Sequence, residues 1–187
     1  MKHLFEFVIV IIAYLCGCLN GAFYVGKIAS NQDIRDLGSS NAGARNAGRV
    51  FGRSAFIYTV MIDALKTLIP LLIAILFFDV TGLLVGCMAL AILLGHIWPV
   101  QLQFHGGKGV VVYLAVALAI VPLTLVVVGL TLLVGLQIKK SFTIVGLIAI
   151  STIPVVLIIL SEFMLTGIFL VMLLIVILAH RKEDENE

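Results

Sequence analysis

The feature that most constrains this chain is a set of uninterrupted apolar stretches, residues 7–26, 54–78, 142–160 and 163–179, each close to the ~20 residues that cross a bilayer core as a helix. A fifth stretch, 80–99, is shorter and polar at its end. With 62% hydrophobic and 12% charged residues, the chain carries about half the charge of an ordinary soluble domain. Only lipid can cover that much apolar surface. The polar segments are too short to fold alone, so the 187 residues read as a single integral membrane domain over 1–187. The first run is longer than a signal-peptide core and is not followed by a small-residue cleavage pattern, which makes it a mature span.

Residues 109–138 form another apolar run, about 45 Å long as one helix and too long for a single untilted crossing. Pro122 near its middle breaks the run into two short helices. The loops then alternate so that Lys27, Arg35, Arg45, Arg49, Arg53, Lys108, Lys139, Lys140, Arg181 and Lys182 share one side, ten of the twelve basic residues. Lys2 lies outside and Lys66 within a helix. This positive-inside bias predicts an all-α polytopic bundle of seven transmembrane helices, N-terminus outside and C-terminus cytoplasmic. The exterior turns fall at 78–81, 121–122 and 161–162, and a re-entrant pair is the alternative for the two short helices.

The net charge of +2 is uninformative as a total and does not point to a nucleic-acid partner, so none is expected. Cys16, Cys18 and Cys87 all lie inside apolar runs and read as small buried hydrophobes, forming neither a disulfide framework nor a thiolate metal site. The carboxylates are scattered: Asp33 and Asp36 in one loop, Asp79 and Glu162 at the outer side, Glu183 to Glu187 in the tail. No metal site is expected.

Two polar segments carry the chemistry. The first, SNQDIRDLGSSNAGARNAGR from Ser30, mixes glycines, hydroxyls, amides and three arginines. Gly38, Gly43 and Gly48 permit backbone conformations in which successive N–H groups point into one concavity. Ser39, Ser40, Asn41 and Asn46 add neutral donors, and Arg49 offers a bidentate fork for phosphate. A basic loop that only sets topology needs no such spacing. The second, GHIWPVQLQFHGGKG from Gly95 to Gly109, sets Gly106, Gly107 and Gly109 around Lys108 directly before an apolar helix. N–H groups at a helix start and the positive end of its dipole receive phosphate, with Lys108 as the point charge. The spacing is not a Walker A motif, which disfavours nucleotide.

His96 and His105 flank this segment as candidate bases or phosphoryl donors, and Trp98 reads as an interfacial anchor. Asp63 and Lys66 stand at i and i+3 on the second span, about 15 Å along the helix from Arg53. They form either a neutralising pair that sets helix packing or part of a substrate site. No serine or cysteine nucleophile is accompanied by a spaced histidine and acid, so the segments point to positioning of phosphate groups and not to a covalent acyl-enzyme.

Ser39, Asn41, Gly43, Asn46 and Arg49 fit S-x-N-x-G-x-x-N-x-x-R. Gly95, His96 and Pro99 fit G-H-x-x-P, and Phe104, Gly106, Gly107, Lys108 and Gly109 fit F-x-G-G-K-G. With these motifs the chain resembles, over nearly its whole length, the bacterial acyl-phosphate:glycerol-3-phosphate acyltransferases (PlsY). The Asp63/Lys66 pair and a basic fourth loop, Lys139, Lys140 and Thr143, extend the likeness.

The resemblance implies a seven-helix enzyme of the bacterial cytoplasmic (inner) membrane with its active site on the cytoplasmic face. It would transfer a fatty acyl group from acyl phosphate to the sn-1 hydroxyl of glycerol 3-phosphate, giving lysophosphatidic acid and phosphate for phospholipid biosynthesis. Its partners would be these two substrates and membrane lipid, with no cofactor or metal. It also implies phosphate contacts at Ser39, Asn41, Gly43, Asn46, Arg49, Gly106, Gly107, Lys108, Gly109, Thr143 and His180. Lys108 and His96 are the catalytic candidates, and a substrate phosphate oxygen is the other candidate base.

The family's third motif, H-x-x-N-I-x-R-L, departs here: after His180 come Arg181, Lys182 and then Glu183 where the family has Asn. Arg45, where many members carry Thr, is a second change. The alternative function is therefore an altered paralogue that binds phosphate or lipid phosphate without turnover.

Overall fold

The computed structural model describes residues 2–78, 80–138 and 141–184, with side chains from residue 3 to residue 181 within those ranges. Every regular element among them is helical: α1 (Lys2–Cys18), α2 (Gly21–Ser30), α3 (Ala44–Phe51), α4 (Arg53–Phe77), α5 (Gly82–Ile97), α6 (Val110–Ile120), α7 (Thr124–Gln137), α8 (Phe142–Ile159) and α9 (Phe163–Asp184), with 3₁₀ turns at Ile34–Asp36 and Val100–Leu102. Five stretches are long and apolar enough to cross a membrane: His3–Ser30, Arg53–Phe77, Gly82–Leu102, Phe142–Ile159 and Phe163–Arg181. The shorter apolar helices α6 and α7 are about 17 Å and 21 Å long. Leu76, Phe77 and Ile159 are each more than two-thirds exposed, as lipid-facing side chains are.

Four expectations change. The first span is two helices, because Asn20 stops α1 and caps α2 by accepting the Phe23 N–H at 2.9 Å. The first polar segment is not all loop: Gly43 is extended, α3 begins behind it, and Gly52 at φ +90° ends α3 directly before α4. Asn46 and Arg49 therefore sit on a helix. His96 belongs to the last turn of α5 instead of a loop, and His180 to α9, which runs past residue 179 to Asp184. The break near Pro122 is found where the ring removes a donor N–H, between α6 and α7. Asp79, Lys139, Lys140 and residues 185–187 lie outside the described residues, as do the side chains of Lys2, Lys182 and Glu183.

The chain divides into two compact units, Met1–Val112 and Tyr113–Glu187. In the first, glycines let helix backbones touch, which is how helices associate in a solvent as apolar as their side chains. A Cβ at Gly17 would strike the Ile92 carbonyl, and one at Gly95 the Tyr14 carbonyl, so α1 and α5 cross in backbone contact. Gly21 lets α2 approach Thr59 of α4, where a Cβ would come within 2.8 Å of the carbonyl. Small side chains Ala22, Ala42, Ala47 and Ala55 close the core around Val25 and Ile34. In the second unit Gly135 of α7 lies against Val145 of α8. Tyr113 meets Phe169 edge-on at 5.4 Å, its hydroxyl donating to the Phe169 carbonyl at 3.4 Å.

Candidate active site

Asn46 organises the first polar segment. It is fully buried on α3, and its Nδ2 donates to the carbonyls of Leu37 (2.8 Å), Asn41 (3.1 Å) and Ile34 (3.3 Å). Its Oδ1 accepts the Ser39 N–H at 3.0 Å. Gly38 turns at φ +61° against the Asn46 amide, leaving no room for a Cβ. Asn46 thus shapes the loop, while Ser39 and Asn41 are only half-buried on its surface. Asn46→Ala leaves a buried N–H and several carbonyls without partners and should lower stability by about 2–4 kcal/mol, read from thermal unfolding of the purified protein in detergent. A change below ~0.5 kcal/mol, the range of ordinary surface substitutions, would refute this role.

Successive N–H groups of this loop do not gather into one concavity. Ser39 donates to Asn46, Ala42 to the Gly106 carbonyl at 3.3 Å, and Gly43 to the Asn41 carbonyl at 2.9 Å. The Ala42–Gly106 bond joins the two polar segments, and Asn20 Nδ2 donates to the Ala42 carbonyl at 2.9 Å from the other side. At the rim, Arg35 grips Asp33 (Nη2 to Oδ2 2.7 Å) and donates to the Leu102 carbonyl at 2.7 Å. The Arg35 hydrogen bond holds the Asp33 carboxyl below the usual carboxylate range and raises the guanidinium in turn.

The glycine segment folds back onto the end of α5. Gly106 donates its N–H to the Ile97 carbonyl at 3.0 Å and Gly107 to the His96 carbonyl at 3.1 Å. Those two N–H groups satisfy the helix C-terminus and are not directed at a ligand. The glycines are needed for approach: a Cβ at Gly106 would strike the His96 carbonyl, and one at Gly107 the His96 ring and, at 2.9 Å, the Ala42 carbonyl. Gly109, at φ +82°, turns the chain into α6 against Leu93. Half-buried Lys108 stands at that turn, ahead of a helix whose first-turn N–H groups have no intrahelical carbonyl. His105 lies on an exposed turn and contacts the Gln103 carbonyl through Nδ1 at 2.6 Å.

Behind these segments is a buried polar cluster. Lys66 Nζ lies 2.9 Å from Asp63 Oδ1, 2.6 Å from the Leu19 carbonyl and 2.8 Å from His96 Nδ1. Asp63 Oδ1 also accepts the Gly21 N–H at 3.1 Å and stands 3.6 Å from His96 Nδ1. At the exposed edge of the cluster, Gln101 Nε2 donates to the Cys18 carbonyl. The charges match the break they close, with cation and amide on the carbonyl end of α1 and carboxylate on the N–H end of α2.

The structure brings together the Asn41–Gly43 turn, Gly106, Gly107, His96, Asp63 and Lys66. Arg45 and Arg49 are exposed on α3. Thr143, in the first turn of α8, and His180, whose Nδ1 contacts the Val176 carbonyl at 2.8 Å, belong to the second unit. Sequence reasoning missed Asn20 and Gln101; the signal was an amide inside or beside an otherwise apolar run. Among the described residues no three His, Cys, Asp or Glu side chains gather as metal ligands.

A family model described as Glycerol-3-phosphate acyltransferase matches residues 7–186. Glycerol-3-phosphate acyltransferase 1 of Bacillus thuringiensis subsp. konkukian is 37% identical over 98% of this chain and 100% of its own length. The protein of the same name from Desulfitobacterium hafniense is 36% identical over 91% of this chain and 84% of its own. The crystal structure of PlsY, an integral membrane glycerol 3-phosphate acyltransferase, in its glycerol 3-phosphate form superposes with a TM-score of 0.85 at 29% identity, covering 96% of this chain and 90% of that one. Sequence, fold and the paired glycine-rich segments agree, and the chain belongs to the glycerol-3-phosphate acyltransferase family.

Proposed function

We propose that this chain transfers a fatty acyl group from acyl phosphate to the sn-1 hydroxyl of glycerol 3-phosphate, releasing phosphate and forming lysophosphatidic acid for phospholipid synthesis. The observation that carries this reading is the Ala42–Gly106 hydrogen bond, which holds the two motif segments together in a chain of this family. Both substrates are phosphates and one has a lipid tail, so polar segments at the ends of apolar helices suit them. Acyl phosphate is already activated; aligning the hydroxyl with its carbonyl and neutralising developing charge supplies the rate without a covalent intermediate or cofactor.

In this reading Lys108, with the N–H groups at the start of α6, holds a phosphoryl group, and Ser39, Asn41 and Arg49 add phosphate contacts within the first unit, while the roles of Thr143 and His180 rest on the family resemblance alone. Gly43, Asn46, Gly106, Gly107 and Gly109 give these groups their backbone. The proton of the attacking hydroxyl passes to a substrate phosphate oxygen. The protein is a single domain over 1–187 with seven spans, N-terminus outside, and its site on the cytoplasmic face of the bacterial inner membrane, an orientation supported by ten basic residues on one side. Donor choice tests the chemistry: purified protein should acylate glycerol 3-phosphate from acyl phosphate and not from an acyl thioester, and the reverse preference would refute the assigned donor.

Glu183 favours one alternative, a phosphate-binding paralogue without turnover, because a carboxylate stands where the family has an amide. If the site is active and residue 183 has the role that Asn has in the family, Glu183→Asn should lower the KM for glycerol 3-phosphate about threefold to tenfold, up to ~1.4 kcal/mol. Steady-state kinetics at varied glycerol 3-phosphate check this, and an unchanged KM would place residue 183 away from the substrate.

A further inference from the structure

The cluster behind the glycine segment has a definite proton inventory. Lys66 Nζ has three acceptors at 2.6–2.9 Å, the Leu19 carbonyl, His96 Nδ1 and Asp63 Oδ1, which match the three N–H bonds of an ammonium. A neutral amine would leave the Asp63 carboxylate buried without its counter-ion. An ammonium donating to Nδ1 requires Nδ1 to be unprotonated, so the ring proton of neutral His96 sits on Nε2. That edge of the ring abuts Gly107, where even a Cβ would collide with it. The His96 side chain is 4% exposed and has no freedom to present its other nitrogen.

We infer that Asp63 and Lys66 are positioning residues: in closing the break between α1 and α2 they lock His96 as the Nε2–H tautomer against Gly107, making residue 96 a fixed hydrogen-bond donor at the glycine segment and not a proton acceptor. The ammonium binds the Leu19 carbonyl, the carboxylate binds the Gly21 N–H, and Asn20 between them holds the Ala42 carbonyl, so the same three side chains set the helix break and the face of the segment joined to it. The consequence for turnover rests on acyl transfer being the activity; the tautomer does not.

Two measurements test it. In ring-¹⁵N-histidine spectra of the purified full-length protein, with His96 identified by its loss in His96→Gln, Nε2 should carry a proton and Nδ1 should not. In Lys66→Met the Asp63 carboxylate becomes the nearest partner of Nδ1, which should then acquire a proton. A protonated Nδ1 in the wild-type protein overturns the proposal whether or not Lys66→Met folds, and so does an unprotonated Nδ1 in folded Lys66→Met. In turnover assays His96→Gln retains an N–H at the Nε2 position with an amide oxygen for Lys66. It should stay within about tenfold of wild type, short of the ~10²–10⁴-fold that losing a general base costs, while His96→Leu falls well below it. Any other order of the two variants overturns the donor role. A wild-type protein without turnover would refute acyl transfer and leave the spectra to decide the tautomer.

Discussion

Lys108→Ala should reduce kcat/KM for lysophosphatidic acid formation about 10²–10³-fold, the cost of removing one preorganised charge-stabilising donor. The lysine follows two glycines held against α5 and precedes one that turns the chain at φ +82° into α6. Its position is therefore set by backbone that does not depend on its own side chain. The N–H groups at the start of α6 remain in the variant and should preserve residual activity above the uncatalysed reaction. Steady-state kinetics with acyl phosphate as donor, paired with a thermal melt, separate lost chemistry from lost fold. A folded variant within tenfold of wild type would move the phosphoryl group elsewhere.

Removing either member of the Asp63/Lys66 pair alone should cost about 3–5 kcal/mol of stability, because the partner is left as an uncompensated buried charge. The Lys66 and Asp63 side chains are 2% and 1% exposed and lie 2.9 Å apart. Lys66→Met also strips the Leu19 carbonyl of its donor, and Asp63→Leu strips the Gly21 N–H of its acceptor. The double variant Asp63→Leu/Lys66→Met should be less destabilised than the sum of the singles, since no charge then stays buried. Unfolding of all four proteins in one detergent measures the coupling, and strictly additive losses would show that the two charges do not sense one another.

The apolar helices were legible because their signal is length, and the turn at Pro122 because proline removes a hydrogen bond on any pathway. The break at Asn20 was not legible: one amide in an apolar run does not end a helix unless other groups take the carbonyls behind it, and those are Lys66 and Gln101, far along the chain. The glycine segments were legible as special backbone, yet their N–H groups could not be assigned from spacing. Gly106 and Gly107 face the end of α5 because Ile97 and His96 carbonyls need donors there. Asn46 looked like a ligand and proved to be the hub of its own loop. Asp63 and Lys66 left two roles open in the sequence, and their contacts with Gly21, Leu19 and His96 are the basis for the positioning role inferred above.

Acyl transfer is tested most directly by supplying the purified protein with synthetic acyl phosphate and glycerol 3-phosphate and following both products by mass spectrometry and phosphate release. Lysophosphatidic acid and inorganic phosphate should appear in equal amounts, acylated at the sn-1 position and dependent on Lys108. Saturable binding of glycerol 3-phosphate with no product above the Lys108→Ala protein would contradict it.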